Sequence, residues 1–238
     1  MDSVWRGAAV RPWVAIGGLA MVITAKDMYG ASVEGSDGRA GILYDLLFDD
    51  RSWRLRHLVV SMDRWFLGRQ VLLDPEVIEW ADWPEQRLGV RLTKEQVQHS
   101  PSVDTDLPAA RRASEAAAQV LVWEAYWANV LETPTEPPGD PHLRSTKMLS
   151  GLHLHCIDGQ LGHVDDFLID QQTWSVRDLV VDTRNWWPGK HVLVEPALIE
   201  SISWANREIR LSLRREDVED RPAYERKTPA KEPVAGSV

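Results

Sequence analysis

The 238-residue chain has a single cysteine and no excess of basic residues. One cysteine, Cys156, excludes an intramolecular disulfide framework and a zinc site built from several cysteines, and it fits a reducing compartment. The 27 Lys and Arg stand against 36 Asp and Glu, a net charge of −9. This balance argues against a nucleic-acid binder, because phosphate binding needs a basic surface.

Long apolar runs are also missing, since no stretch reaches the roughly 20 apolar residues that a transmembrane helix needs. The nearest is the uncharged segment 12–23, PWVAIGGLAMVI. Tryptophan and arginine flank this segment, as interfacial anchors often do. Two interpretations stay open: an arm packed on its own domain, or a contact with a membrane or partner. The candidate contact residues of this arm, residues 1–23, are Trp5, Trp13, Ile16 and Leu19.

What the chain does have is an internal repeat. Residues 30–101 match residues 151–222 at a constant offset of 121, without a gap. LLFDDRSWRLRHLVV aligns with FLIDQQTWSVRDLVV, and RWFLGRQVLLDPEVIEW aligns with NWWPGKHVLVEPALIES. The match predicts two copies of one small fold. The stretch before Gly151 shows no counterpart of the arm, so we expect the arm to be an addition to the repeated unit.

Each copy has the pattern of an all-β unit. Asp37-Gly38 and Asp158-Gly159 lie between short apolar runs, which is a strong hairpin signal. Several short, β-branched runs follow within roughly 75 residues, a spacing typical of a small closed or nearly closed barrel. The sequence therefore predicts a mainly β protein with two barrels in tandem, at residues 24–101 and 146–222.

Segments of a different composition connect and follow the two units. Residues 108–131 are rich in alanine and predict a helix with an apolar stripe. Residues 133–141, TPTEPPGDP, form a proline-rich linker. We therefore assign residues 102–145 to a helix and linker that join the barrels. The remaining residues, 223–238, are predicted to be a polar tail.

The repeated pattern resembles the PRC-barrel family. The second copy carries the DG turn, then Gly162, Asp170 and Trp174, then R-x-LVV at 177–181 and a VLV-x-P segment at 192–196. The first copy carries the same pattern 121 residues earlier, but departs from it at residues 42–44. The resemblance covers about 145 of the 238 residues.

The resemblance implies a docking role without catalysis. Such domains form the cytoplasmic part of the H subunit of purple-type photosynthetic reaction centres, and half of a ribosome-maturation factor. It therefore implies a scaffold subunit, most specifically an H-type subunit at the cytoplasmic face of the inner membrane, with protein subunits as partners and no cofactor bound directly. The alternative is a soluble adaptor in stress response or ribosome maturation that binds a basic protein.

The residue pattern itself predicts no catalytic or metal site. Five polar pairs are kept in both copies, and we interpret them as structural: Asp45/Asp166, Asp49/Asp170, Arg56/Arg177, Glu79/Glu200 and Glu95/Glu216. Asp49 and Asp170 are expected to cap turn amides, and the two arginines are expected to pair with Glu79 and Glu200. His153, His155 and His163 occur in one copy only and do not supply the four ligands of a zinc site.

Paired aromatic residues at two predicted turn tips are the clearest interaction signal. Trp65-Phe66 and Trp186-Trp187 occupy equivalent turns of the two copies. Aromatic side chains at loop tips are frequent hot spots of protein interfaces. The alternative is that these tips pack on each other or on the predicted helix.

Overall fold

The structure is a computed structural model that describes residues 22–62, 69–102, 140, 142–183, 190–203, 206–219, 221 and 223–225. The described chain is mainly β, as the sequence predicts, and is arranged in two mixed sheets. The predicted helix at 108–131, the proline-rich linker apart from Asp140, and most of the arm and tail lie outside the described residues.

The described part of the first half, residues 22–62 and 69–102, contains seven strands and two short helices. The strands are β1 (Val22–Thr24), β2 (Ser32–Gly35), β3 (Gly38–Asp49), β4 (Leu55–Ser61), β5 (Gln70–Leu73), β6 (Ile78–Asp82) and β7 (Arg87–Val90). The helices are α1 (Ala25–Met28) and α2 (Lys94–Gln98), and a 3-10 turn spans Pro75–Val77. A capping box between Thr93 and Gln96 begins α2.

The second half, residues 140–225, repeats this order. The strands are β8 (Leu143–Ser145), β9 (His153–Cys156), β10 (Gly159–Asp170), β11 (Ser175–Asp182), β12 (His191–Val194), β13 (Ile199–Ser203) and β14 (Glu208–Leu211). The helices are α3 (Thr146–Leu149) and α4 (Arg215–Glu219), with a 3-10 turn at Pro196–Leu198. The offset of 121 holds for every element, apart from one extra residue at the start of β11.

The pairing within each half follows the predicted hairpins. The strand orders are β5-β4-β3-β2-β7-β6 and β12-β11-β10-β9-β14-β13. The β2–β3 and β9–β10 turns end at Gly38 and Gly159, whose φ angles of 121° and 141° suit glycine. The β2–β7 and β9–β14 pairs are parallel, and the other pairs in these orders are antiparallel.

The described strands do not form the closed barrels that the sequence predicts. In the described residues each sheet is an open path, because no ladder joins β5 to β6 or β12 to β13. The chain turns between these strands through Pro75–Val77 and Pro196–Leu198. Proline has no N–H to donate to a ladder, so pairing stops at this corner.

The two halves exchange their first strands. β1 pairs with β10 of the second half, and β8 pairs with β3 of the first half. The registers are equivalent: Val22 lies opposite Asp170, and Leu143 lies opposite Asp49. The expectation that the arm has no counterpart therefore fails at its end, because its last residues belong to β1 and β8 is their counterpart.

A further reciprocal contact joins β4 to β11. The Leu55 N–H donates to the Trp174 carbonyl, and the Val176 N–H donates to the Trp53 carbonyl, both at 2.7 Å. The bridge between these bonds pairs Arg54 with Ser175, which are themselves 121 residues apart. The local symmetry between the halves is therefore two-fold, as in a C2 dimer interface.

One hydrophobic core extends through both halves. Within this core the ring centroids of Phe48 and Phe167, one from each half, are 6.1 Å apart, and Trp53 stacks on Phe48 at 5.0 Å. Ile23 of β1 belongs to the same core and is 7% exposed. Because the exchanged strand contributes to the shared core, neither half buries its apolar surface alone.

The exchange predicts that Ile23→Ala destabilises the whole chain. Removing a buried isoleucine side chain costs about 2–5 kcal/mol of unfolding free energy. We expect one cooperative urea transition, monitored by tryptophan fluorescence, with its midpoint at a lower urea concentration than in the wild type. The control is Ile157→Ser, because Ile157 is 67% exposed; its change should stay within about 0.5 kcal/mol. A loss below about 1 kcal/mol for Ile23→Ala would contradict the shared core.

Candidate functional site

The interaction residues predicted from the sequence lie outside the described residues. They are Trp5, Trp13, Ile16, Leu19, Trp65, Phe66, Trp186 and Trp187. The structure describes the strands on either side of the two turns: β4 and β5 pair as one hairpin, and β11 and β12 pair as its counterpart. These eight residues therefore stay predictions.

Asp49 and Asp170 cap turns, as expected from the sequence. Asp49 Oδ1 accepts hydrogen bonds from the backbone N–H groups of Ser52 (2.8 Å) and Arg51 (3.1 Å). Asp170 Oδ1 accepts the equivalent bonds from the backbone N–H groups of Gln172 and Thr173. Partial burial opposes ionisation of Asp49, but these bonds and the charge of Arg56 outweigh it, so the pKa of Asp49 lies below its usual range.

The arginines kept in both copies do not form the ion pairs expected of them. Arg56 Nη1 lies 3.8 Å from Asp49 Oδ2, and Arg177 Nε lies 3.2 Å from Asp178 Oδ2. The expected partners lie on the strands at the opposite end of each open sheet, Glu79 on β6 and Glu200 on β13. A closed barrel would have brought these strands closer to β4 and β11.

Asp45 is one of the two buried duplicated carboxylates, and it binds the other half. Its Oδ1 accepts from the Thr146 hydroxyl (3.0 Å), the Lys147 N–H (3.3 Å) and its neighbour Leu46 N–H (2.8 Å). Its Oδ2 accepts from the Ser145 hydroxyl at 2.5 Å. Asp45 on β3 therefore holds the point where β8 turns into α3.

Asp166 does the same for the first half. It lies on β10, is 4% exposed, and accepts from the Lys26 N–H at 3.1 Å and the Phe167 N–H at 2.8 Å. Lys26 is the second residue of α1, as Lys147 is of α3. The two aspartates therefore lie in equivalent junction contacts, where β1, α1, β8 and α3 meet β3 and β10. Because each carboxylate is occupied by hydrogen bonds to the opposite half, its duplication has a structural explanation.

The ammonium groups of the two junction lysines are held differently. Lys26 Nζ lies 2.6 Å from Asp165 Oδ1. Lys147 Nζ lies 3.6 Å from the ring centroid of Tyr44 and 4.9 Å from that of Tyr29. Tyr44 is the counterpart of Asp165, so one half uses an ion pair and the other a cation–π contact.

A cavity of about 150 Å³ lies beside this junction. The Tyr29 hydroxyl donates to Thr146 Oγ1 at 2.7 Å, and Thr146 Oγ1 in turn donates to Asp45. At the roughly 30 Å³ that one water molecule occupies in the liquid, the cavity volume corresponds to about five water molecules. Its lining residues are Lys26, Tyr29, Thr146, Lys147, Ser150, Asp165, Asp166 and Phe167.

Burial shifts the pKa of three junction groups toward their neutral forms. It raises the pKa of Asp45, although the hydrogen bond from Ser145 and three others oppose the rise. Burial, with the charge of Asp45, also raises the pKa of the Tyr29 hydroxyl. It lowers the pKa of Lys147, against the attraction of Asp45. Asp45 is already saturated with hydrogen-bond donors, so it is poorly placed to act as a general base.

The histidines singled out in the sequence, His153, His155 and His163, and the cysteine are not among the residues that line this junction cavity. His155 Nε2 lies 3.7 Å from Glu208 Oε1, and His163 Nε2 lies 3.9 Å from Asp182 Oδ2. Burial raises the pKa of Cys156 to about 11, which disfavours the reactive thiolate. Within the described residues, no group of three or more His, Cys, Asp or Glu side chains has the geometry to hold a metal ion.

None of the helices described in the structure has the length and apolar character of a membrane span.

The junction predicts a pH-dependent effect of Asp45→Asn. A raised pKa means that the folded chain binds this proton more tightly than the unfolded chain. The stabilising contribution is therefore complete below the unfolded pKa of about 4 and declines as pH rises toward the folded pKa. Asn retains an acceptor oxygen but cannot titrate. The wild-type minus variant free energy of unfolding, from urea titrations, should therefore fall as pH rises above about 4.

The matched control is Asp45→Ala, which leaves the Leu46 and Lys147 N–H groups without their acceptor. Each buried unsatisfied group costs about 1–3 kcal/mol, so Ala should be clearly less stable than Asn at every pH. A wild-type minus Asn difference that is flat or rises with pH would show that burial does not govern this carboxyl group.

Comparison with known proteins provides no family assignment, since no protein-family model matches the chain and no curated protein matches it. The comparison that the chain itself provides is between its two halves, 121 residues apart. Asp45 and Asp166 are kept because both halves use them in the same way. Positions that differ between the halves are therefore the places to look for functions that the fold does not require.

Proposed function

We propose that the chain is a non-catalytic docking subunit made of two PRC-type units fused at a two-fold junction. The observation that carries the proposal is the use of the duplicated carboxylates. Asp45 and Asp166 each bind the opposite half through hydrogen bonds and are nearly inaccessible to solvent. The polar groups retained in both copies at the junction thus maintain one scaffold.

The scaffold has two outer surfaces that are not equivalent. The halves share their strand order and junction contacts, but they differ at many exposed positions. The predicted aromatic turns, Trp65-Phe66 and Trp186-Trp187, remain proposed contact points on these surfaces. Rigid positioning of unlike surfaces suits a protein that holds other subunits in a fixed arrangement.

The more specific form of the proposal is an H-type subunit at the cytoplasmic face of a membrane-bound photosynthetic reaction centre. The sequence resemblance of residues 30–101 and 151–222 supports it, together with the uncharged segment 12–23 and its tryptophan and arginine neighbours. Buried apolar side chains contribute on the order of 1.5–3 kcal/mol each, so several in one segment would anchor a subunit. The soluble adaptor is the competing outcome of the experiment.

The test is deletion of residues 1–21, which removes the apolar segment but keeps the first strand. Val22 and Ile23 must stay because they pair with Asp170 and Ile169. We expect wild-type thermal melting, but loss of the truncated protein from native membranes and from the complex that co-purifies with the full chain. Mass spectrometry of that complex identifies the partner.

The matched control keeps the length and changes the character of the segment. Replacing Ile16 and Leu19 by Ser should release the protein in the same way without any deletion. Full membrane retention of both variants would contradict anchoring by the arm. A full chain that fractionates alone, with neither membrane nor protein partner, would contradict the docking function itself.

A further inference from the structure

The outer face of the β7–β6 pair in the first half is covered by an aromatic ring. Trp80 on β6 lies directly opposite Gly89 on β7. A Cβ atom added at Gly89 would lie 2.0 Å from the Trp80 ring, so the ring requires glycine there. The Arg87 guanidinium lies 5.4 Å from the centre of the same ring. Ring and guanidinium together cover this strand pair.

The second half lacks this cover. Its residue at the position of Trp80 is Ser201, and its residue at the position of Gly89 is Arg210. Ser201 and Arg210 are again direct neighbours across the strand pair. The loss of the ring and the loss of the glycine therefore occur together, which is expected because the glycine is needed only beneath the ring.

An open groove of about 470 Å³ occupies this face of the second half. Ile157, one of its lining residues, is 67% exposed and is the one large hydrophobic side chain with such exposure in the described chain. Its counterpart in the first half is Ser36. The lining residues are His155, Cys156, Ile157, Gly159, Glu200, Glu208, Arg210 and Leu211.

The charges of the groove also differ between the halves. In the first half Glu34 lies 4.0 Å from Arg87. In the second half the acidic and basic positions are interchanged. His155 stands at the position of Glu34 and lies 3.7 Å from Glu208, which stands at the position of Arg87. The cation beside the covering ring has thus become an anion, and the exposed Glu200 adds a second carboxylate to the groove. The two carboxylates outnumber the guanidinium of Arg210 in the lining, so the groove complements a basic group that accompanies an aromatic ring.

We propose that this groove docks an aromatic side chain of a protein partner, flanked by a basic residue. The inference rests on the docking function proposed above and names the surface and the partner chemistry. The partner's ring takes the place that Trp80 fills in the first half, in contact with Ile157 and stacked on the Arg210 guanidinium. The flanking basic residue binds Glu200 and Glu208.

The experiment uses the full chain, labelled with ¹⁵N, and an acetylated tripeptide amide of sequence arginine–tryptophan–arginine at millimolar concentration. We expect amide shift changes concentrated at residues 155–159 and 208–211. The same peptide with alanine in place of tryptophan should leave these amides unchanged. The peptide glutamate–tryptophan–glutamate should bind roughly tenfold more weakly or not at all.

Two variants of the chain make the test specific. Ser201→Trp with Arg210→Gly copies the first-half pair and should fill the groove and abolish the shifts. Glu200→Gln with Glu208→Gln keeps the shape but should weaken the basic peptide roughly tenfold. Shifts that persist in the filled variant, or that map to another face, would overturn the proposal. So would equal binding of the basic and acidic peptides.

The outcomes for the groove and for the docking function are separable. If the basic peptide gives no groove shifts while the full chain still co-purifies with a partner, the groove assignment is wrong and docking occurs elsewhere. If the peptide binds in the groove but the full chain has no partner in membranes or solution, the docking function is the part that fails.

Discussion

Burial of Asp45 is the constraint on which the junction depends. A carboxylate removed from water is costly unless its oxygens are hydrogen-bonded. Asp45 obtains three of its four donors from the opposite half, through Ser145, Thr146 and Lys147. Those donors are in place only if β8 lies on β3. Strand exchange and burial of the carboxylate are therefore one coupled arrangement, and Asp166 with Lys26 repeats part of it.

The parts of the fold that were predictable from the sequence do not depend on this coupling. The offset of 121, the hairpins after Asp37 and Asp158, and the turns capped by Asp49 and Asp170 are local patterns. Local patterns of turn residues and alternation have a direct structural meaning. The structure agrees with each of them.

The exchange itself was not predictable from those patterns. Residues 22–29 and 143–150 occupy equivalent positions, but only one of the eight pairs is identical, and some differ strongly: Ile23 corresponds to Arg144, and Tyr29 to Ser150. Lys26 and Lys147 are identical, but one identical position is not enough to extend the repeat. The partner of each strand lies more than ninety residues away, and strand pairing at that distance leaves no periodic signal. The closed barrel failed for a related reason, because the proline corners end the ladders.

Coverage of the sheet edges restricts how a partner can bind. Ser102 bridges to Val71, and the Leu72 N–H donates to the Pro101 carbonyl, so a returning segment lies along β5. The Tyr224 N–H donates to the His191 carbonyl and covers β12 in the same way. Unpaired strand edges are the usual template for adding a partner's strand. With β5 and β12 covered and β3 and β10 occupied by exchanged strands, recognition along these strands must use side chains on the sheet faces. The halves differ most clearly on the faces of the β7–β6 and β14–β13 pairs, where Trp80 covers the first and its place is left open on the second.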